Sequence, residues 1–264
     1  MTANIRLTTT HTQWVQHVAN GQNLKKFTES TIVHVMNQPR QGKPLLVLDL
    51  DHTLLDFSTR TILAADNTST QRRRLGDDAG SAVALMKRPY MDEFLTSAYR
   101  QYDLVVWSQT SWRWLETKMT ELGMLGHPGY RFSFVLDKTS MFAITSINKR
   151  DGTSYKHHVK PLQIIWSKFP HNWGLHNTIH LDDLSRNFAL NISSGLKVTA
   201  FYRKKSTGNN NKKDMELIGL ARYLDMLATA GVSFDKVNFA NWKDVIYGNR
   251  PLLTEDDADQ KSSS

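Results

Sequence analysis

Lys43-Pro44-Leu45-Leu46-Val47-Leu48-Asp49-Leu50-Asp51-His52-Thr53-Leu54-Leu55-Asp56-Phe57 (KPLLVLDLDHTLLDF) is the stretch on which the reading of this chain turns. Leu45 to Leu48 is a short unbroken apolar run, the pattern of a strand buried on both faces. Asp49 and Asp51 stand two residues apart at its end, where a turning chain can aim both carboxylates into one site. A hard cation such as Mg²⁺ wants oxygen ligands and keeps several waters, so Asp49 and a backbone carbonyl at Asp51 would supply two of the few protein groups it needs. A phosphate ester is anionic and repels a carboxylate nucleophile unless a metal and a cation neutralise it. On that chemistry Asp49, ionised near neutrality, attacks phosphorus, and Asp51 serves as general acid and then general base. Thr53 is expected to hold Asp51 or the loop by hydrogen bonding. A bare D-x-D is more often a plain acidic turn, so the remaining elements decide.

Those elements alternate. Pro89 suits a helix start, with Phe94, Leu95, Ala98 and Tyr99 as its apolar stripe. Leu104–Trp107 reads as a strand ending in Ser108, followed by a helix from about Trp112 to Leu122, stopped by Gly123. Phe132–Leu136 is another strand and Tyr155–Val159 a weaker one. Thr178–Leu181 runs as a strand into Asp182-Asp183, and Leu196–Phe201 is expected to be the last strand. Met215–Leu227 is an amphipathic helix. Strands alternating with helices predict an α/β domain with a mainly parallel sheet. Three strands end in Asp49, Ser108 and Asp182, and ligands of such sheets bind at the carboxyl ends of the strands.

Composition limits the alternatives. The 264 residues contain no cysteine, which excludes disulfides, thiolate zinc sites and cysteine nucleophiles. No apolar run approaches the ~20 residues of a membrane helix, and Met1–Thr10 has no apolar core of signal-peptide length; no membrane association is expected. The net charge of +8 comes from dispersed basic residues plus two clusters, Arg72–Arg74 and Arg203–Lys213, both in turn-rich sequence. No direct nucleic-acid partner is expected from that pattern. Residues 1–24 are expected to be loose, 25–250 to form the domain, and 251–264 to be a disordered acidic and serine-rich tail.

KPLLVLDLDHTLLDF (43–57), KRPYMDEFLTSAYRQYDLVVWS (87–108), VKPLQIIWSKF (159–169) and LDDLSRNF (181–188) occur in the order and spacing of one known family. An apolar strand ending in D-x-D-x-T resembles the first motif of the haloacid dehalogenase superfamily. The four segments together resemble its FCP/SCP branch, phosphatases of the RNA polymerase II C-terminal domain, and within it the ubiquitin-like-domain-bearing subgroup linked to nuclear proteasomes. The resemblance implies a three-layer Rossmannoid fold and Mg²⁺. It makes Asp49 the nucleophile and Asp51 the acid/base, with Ser108 and Thr53 as phosphate-binding residues. Lys160 offsets charge on the phosphorylated aspartate, and Asp182 and Asp183 complete a metal site with Asp49 and Asp51. Asp182 is also expected to pair with Lys160. Arg88 and Asn187 are read as structural, and His52 as a packing residue. Most tryptophans are read as core, with Trp112 the one most suited to lining a substrate groove.

The spacing leaves little room for a large cap: Ser58–Ser81 reads as a loop or hairpin, and only a small insert fits between Ser108 and Lys160. A site without a cap admits a side chain on another protein, so phosphoserine or phosphothreonine proteins are the expected substrates, proteasome subunits or the polymerase tail among them. The residues before the core are fewer than a ubiquitin-like module needs, so docking to the 26S proteasome through one is not expected of this chain. Nuclear residence follows from the resemblance, with the cytoplasm as alternative. A noncatalytic module on the same fold and a metabolite phosphatase are the rival readings.

Overall fold

The structure is a computed structural model that describes residues 18–57, 85–147, 151–203 and 214–253. Five strands form the central sheet: β1 (Leu45–Leu48), β2 (Asp103–Trp107), β3 (Phe132–Leu136), β6 (Thr178–Asp182) and β7 (Gly195–Lys197). All neighbours pair in parallel, in the order β3-β2-β1-β6-β7. The chain builds outward from β1 to one side, then returns to the other side of β1 with β6. The order therefore reverses at β1, which makes the carboxyl ends of β1 and β6 the switch point where sheets of this kind bind ligands.

Side chains of β1 alternate between two cores, as a strand's period of two requires. Leu46 and Leu48 join Leu104, Val106 and Leu181 beneath α2 (Met91–Gln101), α3 (Trp112–Glu121) and α5 (Glu216–Thr229). Leu45 and Val47 join Val105, Trp107 and Phe134 beneath α4 (Gln163–Lys168), with Phe27 of α1 (Val18–Ser30) against them. All four β1 residues have no exposed surface, worth roughly 1.5–3 kcal/mol each for burial. The result is a three-layer α/β domain.

Several elements differ from expectation. Residues 18–24 belong to α1, where Leu24 is buried, so the expected boundary at residue 24 falls inside a helix. The strand at Tyr155–Val159 is not in the central sheet. It pairs as β5 (Ser154–Val159) with β4 (Phe142–Ile147) in a separate antiparallel hairpin, whose Phe142 ring meets Phe27. Pro89 lies inside a turn closed by Met91 N–H to Arg88 C=O, so α2 starts two residues later than a proline at its first position would place it. The last strand stops at Lys197, because the chain beyond Val198 leaves the sheet to bind the loop after β1. The segment 58–81, the cluster Arg72–Arg74, Lys204–Lys213 and the tail from Thr254 lie outside the described residues. No helix among the described residues is long and apolar enough to cross a membrane.

Candidate active site

Asp49 is the first residue after β1, and its N–H still bonds to Leu181 C=O of the neighbouring strand (2.9 Å). The next residues form a compact turn in which the N–H groups of Thr53, Leu54 and Leu55 all reach Leu50 C=O. His52 closes it in the left-handed region (φ 62°), a conformation that costs a non-glycine residue energy and recurs beside functional sites. The chain from β7 is tied to this turn: Phe201 N–H bonds to His52 C=O, and Arg203 N–H to the Asp56 carboxylate at 2.9 Å. His52 and Tyr202 lie ring against ring with centroids 4.3 Å apart. From behind, the buried Arg88 donates to Thr53 C=O and Thr199 C=O (3.0 Å each) and pairs with Asp214 and Glu216. Its expected structural role is thus the bracing of this turn.

Lys160, fully buried at the exit of the hairpin, holds the centre. Its Nζ donates to Asp49 Oδ1 and to Asp182 Oδ2, 2.6 Å each. Asn187 Nδ2 also donates to Asp182 Oδ2 (2.8 Å), and Leu184 N–H to Asp182 Oδ1 (2.9 Å). Asp182 thus pairs with Lys160 as expected, with both its oxygens engaged. Thr53 departs from expectation. Its buried hydroxyl donates to Asp49 Oδ2 (3.0 Å), not to Asp51, so it orients Asp49.

Asp51 turns the other way. Its Oδ1 meets Lys118 Nζ at 2.5 Å, and its Oδ2 faces Ser108 Oγ at 3.5 Å. Ser108, buried at the end of β2, also accepts from Thr110 N–H (3.1 Å). This bond fixes the turn before α3, whose N-cap is Ser111, and does not cap the helix. Lys118 was absent from the sequence reading. The available signal was a lysine in the apolar stripe of α3, among Leu115, Met119 and Leu122, where a long cation is buried only if something pairs with it.

The electrostatics follow from burial. Desolvation pushes the Asp49 carboxyl up to about 7, against the pull of Lys160 and with help from the neighbouring Asp182 charge. Burial also works to raise Asp182, but the Lys160 ammonium outweighs it and holds that carboxyl below its ordinary value. Burial works to lower Lys160, yet the two carboxylates keep its ammonium above its usual range. Asp183 is raised by burial and by Asp182 beside it.

One oxygen each of Asp49, Asp182 and Asp183 lies within 4.8 Å of the others. Three carboxylates against one ammonium leave excess negative charge in a poorly solvated place, and an all-oxygen donor set suits a hard divalent ion. The residues therefore fit Mg²⁺. Asp49 and Asp183 are the better donors, since the lone pairs of Asp182 already serve Lys160, Asn187 and Leu184. The Asp51 carboxylate is not part of this group.

Around the site, Trp107 and Trp173 are core residues, whereas Trp112 and Trp114 are exposed on the first turn of α3.

The parallel sheet thus carries carboxylates at its switch point with a buried lysine between them. The sequence model of the NLI interacting factor-like phosphatases matches residues 44–237, and the chain belongs to that family. It is 40% identical over 211 residues to the ubiquitin-like domain-containing CTD phosphatase 1 of Gallus gallus, and equally so to that of Homo sapiens. Each match covers 80% of this chain and 58% of the relative, so the chain spans little more than half the length of these relatives. Among solved structures, Fcp1, an essential RNA polymerase II CTD phosphatase, is 12% identical with a TM-score of 0.45, covering 89% of this chain and 71% of that one. A haloacid dehalogenase-like hydrolase from Xanthomonas campestris is also 12% identical, with a TM-score of 0.37, covering 72% and 100%.

Proposed function

We propose that the protein is a Mg²⁺-dependent phosphatase of phosphoserine and phosphothreonine proteins that works through an aspartyl-phosphate on Asp49. The observation that carries this reading is the division of labour between the two carboxylates after β1. Asp49 is held on both oxygens by Lys160 and Thr53, while Asp51 stands on the other side with Oδ2 toward Ser108.

In the first step an Asp49 oxygen attacks phosphorus, the bond from phosphorus to the serine or threonine oxygen breaks, and Asp51 gives its proton to that leaving oxygen. In the second, water attacks the phosphorus of the aspartyl-phosphate. Its proton passes to Asp51, the bond to Asp49 breaks, and inorganic phosphate leaves. Lys160 offsets the charge that Asp49 and the transferring group bring together, and Asp182 with Asn187 keeps that ammonium in place. Ser108 offers its hydroxyl to the phosphoryl oxygens. Asp49, Asp183 and the Asp51 backbone carbonyl would hold Mg²⁺, which supplies positive charge against the phosphoryl oxygens.

The names of the relatives support the polymerase II C-terminal domain as a substrate, and nuclear residence is proposed alongside it. Subunits of the 26S proteasome are the second substrate class. The experiment is hydrolysis of p-nitrophenyl phosphate with and without Mg²⁺ by wild type and Asp49→Asn, followed by a substrate panel. Turnover is expected only in wild type with the metal, and phosphoserine peptides are expected to exceed sugar phosphates and nucleotides in kcat/KM. An active Asn variant, or an inert wild type, sinks the reading and favours a noncatalytic module.

A further inference from the structure

We infer that Lys118 is a positioning residue that sets the rotamer of Asp51 and so decides whether the acid/base carboxylate meets the leaving oxygen. This rests on the phosphatase reading above and deepens it.

Lys118 is carried by α3 and held between the buried Leu115 and Met119, with only 7% of its side chain exposed. Its Nζ lies 2.5 Å from Asp51 Oδ1 and 5.2 Å from the centroid of the Phe57 ring, which supplies a cation–π contact from another side. The two oxygens of Asp51 therefore have different partners. The ammonium takes Oδ1, which leaves Oδ2 directed at Ser108 Oγ. Ser108 ends β2 beside the nucleophile strand, where the phosphoryl group is to be bound. The pair thus aims one oxygen of Asp51 into that space.

Neither neighbour can take over this task. Lys160 is bound to Asp49 and Asp182, and the contact with Ser108 is too long to fix a carboxylate. The Asp51 side chain is 31% exposed, so without Lys118 water competes for it and its rotamers open. The two lysines then divide the work: Lys160 serves the nucleophile, and Lys118 serves the acid.

The test is a leaving-group series. For wild type, Lys118→Met, Lys118→Gln and Lys118→Arg, kcat/KM with Mg²⁺ is measured on p-nitrophenyl phosphate, phenyl phosphate and a phosphoserine peptide. A p-nitrophenolate leaves without a proton, whereas a serine oxygen needs one, so misplacing the acid matters more as the leaving oxygen grows more basic. In the two neutral variants the expected loss is under ~10-fold on p-nitrophenyl phosphate and on the order of 10²–10⁴-fold on the phosphoserine peptide, the range attached to a positioned acid. Lys118→Arg is expected to recover most of it. Adding Lys118→Met to Asp51→Asn is expected to cost little more than Asp51→Asn alone, since both act through one group.

An equal loss on all three substrates, no loss, or a rise in KM alone overturns the positioning role while leaving the phosphatase reading intact. Failure of both neutral variants to fold, read from their melting curves, also overturns it in favour of a structural role. A wild type inert on all three substrates removes the phosphatase reading and this inference together.

Discussion

Lys160 and Asp182 form an ion pair at 2.6 Å in which neither side chain has any exposed surface. The same ammonium reaches Asp49 at 2.6 Å, so one cation stands between two carboxylates in the interior. Such an arrangement contributes modestly to stability as long as it is complete and costs heavily when its single cation is lost, because two carboxylates then stay buried without a partner.

Lys160→Met is therefore expected to be damaging on two counts. The two carboxylates it leaves behind should cost about 3–5 kcal/mol, the range for breaking a buried pair. Lys160→Met with Asp182→Asn should be less destabilised than Lys160→Met alone. Urea unfolding of the three proteins checks this, and additive losses would contradict it.

Asp49→Asn should stabilise the metal-free protein while abolishing turnover. Burial lifts the Asp49 carboxyl from 3.8 to about 7, so between those values the folded state holds a proton that the unfolded state has given up. Stability from this group is complete at low pH and is lost as pH rises through about 7. The melting temperature of Asp49→Asn should thus move above that of wild type between pH 5 and pH 8, by roughly 2–4 °C per kcal/mol. Adding Mg²⁺ should raise the melting temperature of wild type much more than that of the variant. Thermal melts in chelator and in Mg²⁺ across that pH range decide both points.

His180 gives the opposite slope. It lies buried on β6, 3.6 Å from the Asp182 carboxylate, too long for a hydrogen bond, and neither ring nitrogen has a hydrogen-bond partner in the described structure. Burial holds its ring below the ordinary 6.5, so as pH falls through that value the unfolded chain takes a proton and the folded one does not. Stability is then lost toward acid, starting near pH 6.5. Relative to wild type, His180→Leu should gain stability on going from pH 7.5 to pH 5.5. Paired denaturation curves at those two values are the check, and a pH-independent difference would refute the assignment.

Trp112→Ala should separate protein from small substrates. The ring is about half exposed on the first turn of α3, the helix that carries Lys118, and its backbone N–H is anchored on Asp137 at 2.8 Å. KM for a phosphoserine peptide is expected to rise about tenfold, as for loss of an aromatic anchor of ~1.4 kcal/mol, with p-nitrophenyl phosphate unchanged. An equal change on both substrates would place the ring's effect inside the chemistry instead.

Much of the site is legible in the sequence because its members sit at strand ends. Asp49, Ser108 and Asp182 follow apolar runs whose hydrophobicity alone marks them as buried strands, and a parallel sheet collects such ends on one edge. The VKPL segment put Lys160 in the same place. Less legible was anything that depends on a side chain's direction. Thr53 was expected to serve Asp51 and instead serves Asp49, since the turn from Leu50 to Leu55 points its hydroxyl back at β1. Tyr155–Val159 reads as one strand among the others but pairs in the separate hairpin β4–β5, because periodicity cannot say which sheet a strand joins.

The sequence by itself determined that β1 is an interior strand, that two acidic residues follow it, and that a helix begins beyond each of Pro89 and Ser108. These are local consequences of apolar runs, backbone geometry and turn-forming residues. Only the tertiary structure decided that Lys118 belongs to Asp51. The two lie 67 residues apart, and what joins them is the energetic need of a buried charge for an opposite one, which no local pattern encodes.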